Sequence, residues 1–156
     1  LILLFNKWDL VKDRKLRREE LEDEIKTRLP HASYAPMLTI SAKDGTRINA
    51  LPAVIERVVE ASNKRIPTGE LNRELEKWLG DNPPPSGKTP VKIYYCTQAG
   101  VRPPSFVFSV NKWENIPRSY QRYLINRIRQ SFRFDGCPVR AYFRTHKKSR
   151  KKGKRK

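Results

Sequence analysis

Residues 1–9 read Leu-Ile-Leu-Leu-Phe-Asn-Lys-Trp-Asp: five apolar side chains, then an amide, an ammonium, an indole and a carboxylate. An unbroken apolar run of this length is the pattern of a strand covered on both faces, as in a parallel sheet. A charged stretch over 15–29 follows, with Leu21, Ile25 and Leu29 at four-residue spacing and Pro30 behind them. That spacing predicts a helix with one stripe toward a core. A second apolar strand over 37–40 runs into Ser41-Ala42-Lys43, and a helix over 48–62 carries Ile48, Leu51, Ile55 and Val58 along one side. Strand, helix, strand, helix is the order of a doubly wound α/β sheet with right-handed crossovers. A doubly buried strand needs hydrogen-bonded neighbours on both sides, and two strands cannot supply them. The expectation is that residues 1–65 are the last part of a larger α/β domain whose other strands precede Leu1.

Residues 63–69, Asn-Lys-Arg-Ile-Pro-Thr-Gly, read as a linker, and beyond them the pattern changes. A helix is predicted over 70–79, followed by the proline-rich connection DNPPPSGKTP. Residues 91–97 alternate, with Val91, Ile93 and Tyr95 on one side and Lys92, Tyr94 and Cys96 on the other. Phe106, Phe108 and Val110 alternate likewise after a turn over 99–104, so the two segments predict an antiparallel hairpin. A long helix over 118–132 and a third strand over 139–144 complete an α+β unit, helix-strand-strand-helix-strand, with both helices on one face of a three-stranded sheet. This second unit spans 66–144. Residues 145–156 are a basic tail, expected to be disordered.

The charge is unevenly placed. The chain of 156 residues carries a formal net charge of +18. Residues 1–65 hold 13 Lys/Arg against 10 Asp/Glu, and residues 66–156 hold 21 against six, a net of +15. A surplus of that density in one half points to a polyanion, because each cation laid on a phosphate releases condensed counterions. The apolar runs fall well short of the ~20 residues of a membrane span. Cys96 and Cys137 form neither a C-x-x-C pair nor a disulfide framework, which favours a reducing, cytoplasmic setting.

In open α/β sheets, ligands sit beyond the carboxyl ends of the strands, where both Asn6-Lys7-Trp8-Asp9 and Ser41-Ala42-Lys43 fall. A carboxylate is acceptor-only and takes two donors side by side. Guanine offers such a pair, its ring N–H and its exocyclic amino group, and adenine offers neither on that edge. A buried Asp9 therefore accepts guanine and leaves adenine facing an unpaired charge, a discrimination on the order of 10⁴. A backbone N–H near Ala42 suits the guanine carbonyl, the Lys7 methylenes suit the base plane, and Asn6 can tie the two loops together.

An N-K-x-D after one apolar strand with S-A-K after the next resembles the guanine-recognition elements of the translation-factor-like GTPases. In the second half, YYCTQAGVRPPSFVFSVNK, SYQRYLINRIRQSF and FDGCPVRAYFR resemble the KH-like terminal domain of the Der (EngA) family of bacterial tandem-domain GTPases. The resemblance implies a partial P-loop GTPase sheet followed by a KH-like domain. It also implies a parent protein that binds and hydrolyses GTP and assists assembly of the large ribosomal subunit. It assigns guanine recognition to Asn6, Lys7, Asp9, Ser41, Ala42 and Lys43, with GTP or GDP as ligand and Mg²⁺ in the complete protein. Further GTPase domains in cis and rRNA are the implied partners.

Phosphate transfer needs a glycine-rich phosphate loop, a Mg²⁺ ligand and a group that positions water. None of these is found in the 156 residues, so this chain by itself is not expected to hydrolyse GTP. Ser86-Gly87-Lys88-Thr89 ends like a phosphate loop, but Asn82 stands where that motif requires glycine.

On a helical wheel Arg118, Arg122, Arg129 and Arg133 form one narrow stripe beside the apolar face of the 118–132 helix. Arg140 and Arg144 flank Tyr142 on one side of the last strand, and Lys147, Lys148, Arg150, Lys151 and Lys152 continue into the tail. These are the candidate RNA contacts. No G-x-x-G occurs in the chain, so the backbone clamp of RNA-binding KH domains is not expected. His31 and His146 have no ligand spacing around them, and no metal site is expected. Trp78 and Trp113 read as packing residues. The rival reading is a non-enzymatic basic RNA-binding or scaffold module whose nucleotide site is vestigial.

Overall fold

Short apolar runs bounded by breakers form the strands. The computed structural model describes residues 1–85 and 90–146. β1 (Leu3–Phe5) and β2 (Met37–Thr39) pair in parallel, Leu3 beside Met37 and Phe5 beside Thr39. Between them α1 (Arg14–Arg28) starts at Asp13, whose carboxylate accepts from the Leu16 N–H at 3.0 Å, an N-cap worth about 1 kcal/mol. α2 (Leu51–Asn63) follows β2. Of the predicted stripe on α1 only Leu21 is buried, and Leu29 lies exposed at the helix end, where Pro30 starts a new turn. Leu4, Ile48 and Ile55 are exposed as well. Two strands and two helices leave apolar faces uncovered.

The second unit runs α3 (Thr68–Asp81), β3 (Ile93–Val101), β4 (Pro104–Val110), α4 (Arg118–Phe132) and β5 (Arg140–Thr145). β4 is central, antiparallel to β3 and parallel to β5. The core is continuous from the helices to the sheet: Leu71, Leu75 and Trp78 of α3, Leu124 and Ile128 of α4, and Phe106, Phe108 and Val110 of β4 are essentially inaccessible. Trp78 meets the edge of Phe132, and Phe108 stacks on Phe143 at 5.1 Å.

Three sequence expectations are corrected here. The hairpin turn is tight, at Arg102-Pro103 with a cis peptide, because the strands pair as far as Val101 and Pro104. The alternation of β3 breaks at a β-bulge between Ile93 and Tyr95, so Cys96 is buried and both Tyr94 and Tyr95 face out; a bulge inserts one residue and reverses the side-chain phase. Trp113, in a short turn, is 49% exposed and is no core residue.

The linker is held rather than free. Ile66 is buried with Ala61 of α2 in the core of the second unit. Gln98, itself buried, accepts from the Ile66 N–H at 2.7 Å and donates to the Lys64 carbonyl at 2.9 Å.

Candidate functional site

β1 ends at Phe5, and the chain then makes an abrupt turn. Asn6 is followed by Lys7 in the left-handed conformation, φ 63° and ψ 35°, and a 3₁₀ turn over Trp8–Leu10. Trp8 is buried and anchors that turn, so Asp9 is delivered beyond the carboxyl end of the strand. β2 is brought alongside by two further bonds, Ile40 N–H to the Phe5 carbonyl at 2.8 Å and Trp8 N–H to the Ile40 carbonyl at 3.0 Å.

The two motifs meet. The fully buried Ser41 donates its hydroxyl proton to Asp9 Oδ1 at 2.7 Å. Asn6 Oδ1 accepts from the Lys7 N–H at 2.8 Å and from the Ala42 N–H at 3.0 Å. The turn after β2 is closed by the Ser41 N–H on the Thr46 carbonyl and by the Thr46 N–H on Asp44 Oδ1. Bonds from the Thr46 hydroxyl first, then from its N–H, hold the Asp44 carboxyl below its ordinary range. Ser41 has a single proton to give, and the 2.7 Å contact assigns it to Asp9.

Asn6, Lys7, Asp9, Ala42 and Lys43 line one open groove of about 300 Å³, with Leu10 as an additional wall. Asp9 is half-buried rather than fully buried. Leu10 was not singled out from sequence; an apolar side chain 71% exposed directly after the motif is its signal. The groove presents a carboxylate fixed through one oxygen, an exposed ammonium stem and an apolar wall. Chemically it can pair two donors on one edge of a flat ring and cover the ring's face.

The basic residues separate. Arg118, Arg122, Arg133, Arg140 and Arg144 are exposed. Arg129 leaves the stripe: its guanidinium lies 4.5 Å from the centre of the Tyr34 ring, in the connection before β2. Its Nε is buried without a hydrogen-bond partner, and desolvation pulls the guanidinium below its ordinary pKa. Lys147, Lys148, Arg150, Lys151 and Lys152, like Ser86-Gly87-Lys88-Thr89, lie outside the described residues.

Arg129 belongs to a seam between the two units. Gly136, at φ +70°, donates its N–H to the Tyr34 carbonyl at 3.0 Å and accepts from the Leu1 nitrogen at 2.7 Å. The Cys137 thiol points at the Val58 carbonyl, 3.5 Å away. Lys64 Nζ caps the last turn of α4 on the Phe132 carbonyl, a cation placed where a helix end is negative. Asn72 of α3 was also missed from sequence. Its amide bonds both the N–H and the carbonyl of Cys96, at 2.8 and 2.9 Å, beside the bulge. Burial pushes the Cys96 thiol up, which suits an unreactive core position. Among the described residues no three His, Cys, Asp or Glu side chains converge, and no helix is long and apolar enough to cross a membrane.

Comparison with known proteins adds a family. Residues 65–144 match the model described as KH-domain-like of EngA bacterial GTPase enzymes, C-terminal. The chain is 44% identical over 144 residues to the protein named GTPase Der of Moorella thermoacetica, covering 92% of this chain and 33% of that protein. It is 46% identical over 140 residues to GTPase Der of Caldanaerobacter subterraneus subsp. tengcongensis, covering 89% and 32%. With GTPase Der of Symbiobacterium thermophilum it shares 41% over 150 residues, 96% of this chain and 32% of that protein. The chain spans about a third of the length of the curated relatives it matches.

Proposed function

Because the chain belongs to the family of KH-like C-terminal domains of EngA bacterial GTPases, we propose that it is the carboxyl-terminal portion of a GTP-binding, GTP-hydrolysing protein. Residues 1–65 are then the end of a GTPase domain, 66–144 its KH-like domain and 145–156 a basic tail, except that Thr145 and His146 are not disordered: Thr145 ends β5 and His146 packs on Tyr94 and Tyr95. The exposed Leu4, Ile48 and Ile55 favour completion of the first sheet by further strands and helices. The observation that carries the nucleotide reading is the pair of bonds, Ser41 to Asp9 and Ala42 to Asn6, that joins both motifs at one groove.

In this reading Asp9 accepts the guanine ring N–H and exocyclic amino group, with Ser41 fixing the carboxylate plane. The Lys7 stem and Leu10 flank the base. Asn6 holds the Ala42 N–H, so the donor for the guanine carbonyl passes to the next residue, Lys43. The groove fits a base and offers no phosphate loop, so phosphate and Mg²⁺ contacts fall to other parts of the complete protein. There, Mg²⁺ would supply charge neutralisation at the transferred phosphate.

The basic second unit is read as the rRNA-contacting part of a large-subunit assembly factor in the cytoplasm. Exposed Arg118, Arg122 and Arg133 and the tail residues supply salt-sensitive phosphate contacts. The test is nucleotide competition in the complete protein: a fluorescent GDP should be displaced by GDP and not by ADP. Displacement by both alike would overturn guanine recognition and leave the non-enzymatic basic module as the reading.

A further inference from the structure

The three-stranded sheet has a second face, away from α3 and α4. The register sets its rows: Tyr95, Ser109 and Arg144 lie side by side, and Thr97, Val107 and Tyr142 form the next row. Arg140 stands one row further, beside Ser105. Tyr95 and Tyr142 are 43% and 48% exposed, in contrast to Phe108 and Phe143, which stack against each other on the covered face. The bulge in β3 is what brings Tyr95 out.

Strand spacing puts the two tyrosines roughly 10 Å apart across the sheet and about 7 Å apart along it. Tyr95, Thr97, Val107 and Ser109 line a groove of about 470 Å³ together with Arg144 and His146, and Tyr142 stands outside it, next to Val107. The His146 ring tilts against both Tyr94 and Tyr95, at 5.5 and 6.2 Å, and braces them. Among the described residues Arg140 and Arg144 have no ion-pair partner. From Val91 onward the only acids are Glu114 and Asp135, and neither lies in the three strands.

An aromatic pair flanked by guanidiniums without ion-pair partners, on strands that carry no acid, matches the chemistry of a nucleic-acid strand whose bases are turned outward. Rings stack bases of any sequence, and cations follow the phosphates. A duplex hides its bases and can use only the cations.

We propose that this open sheet face is a stacking platform for single-stranded nucleic acid, with Tyr95 and Tyr142 taking bases and Arg140 and Arg144 taking phosphates. The platform rests on the RNA-contact reading above and gives it a place distinct from the arginines of α4.

The experiment measures binding of the whole chain to an unstructured RNA of roughly ten nucleotides and to a blunt RNA duplex, by fluorescence anisotropy. Tyr95→Ala with Tyr142→Ala should weaken single-strand binding by about 10-fold or more and leave duplex affinity within about twofold. Tyr95→Phe with Tyr142→Phe, which keeps the rings, should retain single-strand affinity. Unchanged single-strand binding in the alanine variant would overturn the platform and leave the face to a protein domain. An equal loss on both RNAs, with the phenylalanine variant equally weak, would also overturn it. If the unaltered chain bound neither RNA, the RNA-contact reading itself would fall, a result distinct from either of these.

Discussion

Gly136→Ala tests the seam between the two units, and its cost can be worked from the structure. At φ +70° a residue with a Cβ pays about 1–2 kcal/mol. The added Cβ would also stand 2.6 Å from Val58 Cγ2, and 3.0 Å from both Val58 Cγ1 and the Leu1 carbonyl oxygen. Val58 packs against the core of the second unit, so moving it costs a further ~1–3 kcal/mol. The expected loss is about 2–5 kcal/mol, read by urea unfolding with tryptophan fluorescence. Trp8 and Trp78, both buried, report on the first and second units respectively. Val58→Ala should recover part of the loss in the double variant, with a coupling of about 1–3 kcal/mol, because it removes both clashing methyls. The backbone share should remain. A loss under about 1 kcal/mol for Gly136→Ala, or no recovery on truncating Val58, would refute the claim that this glycine sets the seam.

Asn72→Ala removes the partner of both the N–H and the carbonyl of Cys96; at ~1–3 kcal/mol per orphaned group the expected loss is about 2–6 kcal/mol in the same denaturation assay, and a change near zero would show that the bulge does not depend on this amide. Tyr120 donates to the Asn82 carbonyl at 2.7 Å, and burial foremost, then Tyr123, pushes its pKa up from 10.0 to about 12. Its folded value is raised, so its contribution is complete below pH 10.0 and is lost as pH climbs toward about 12. Tyr120→Phe should therefore flatten the stability-versus-pH curve in that window, and an identical slope would argue against a desolvated phenol.

Much of the architecture is legible in the sequence because it follows from local rules. The α4 boundaries at Arg118 and Phe132 match the prediction, since the apolar stripe and the loops on either side are unambiguous. The meeting of the two motifs is legible for a different reason: parallel pairing of consecutive strands aligns their carboxyl ends. What the sequence hides is long-range. Asn72, 24 positions away from Cys96 in sequence, bonds the backbone beside the bulge that exposes Tyr95, and no alternation pattern contains that contact. A wheel projection groups Arg129 with its helical neighbours, but the direction of its guanidinium is set by Tyr34 across the seam. Leu29 looks like a core position by spacing and is turned outward by the helix end before Pro30. Ala61 and Ile66 read as the end of a helix and a linker, yet both lie in the second unit's core, held there in part by Gln98.

The most direct measurement is Asp9→Asn in the complete protein, with GDP and xanthosine diphosphate compared in the same competition assay. An amide offers one acceptor and one donor in place of two acceptor oxygens. It matches the N–H and carbonyl on the edge of xanthine and mismatches the two donors of guanine. Recognition through Asp9 predicts a swing in preference toward the xanthine nucleotide on the order of 100-fold. An Asp9→Asn protein in which no site gained affinity for the xanthine nucleotide would contradict it.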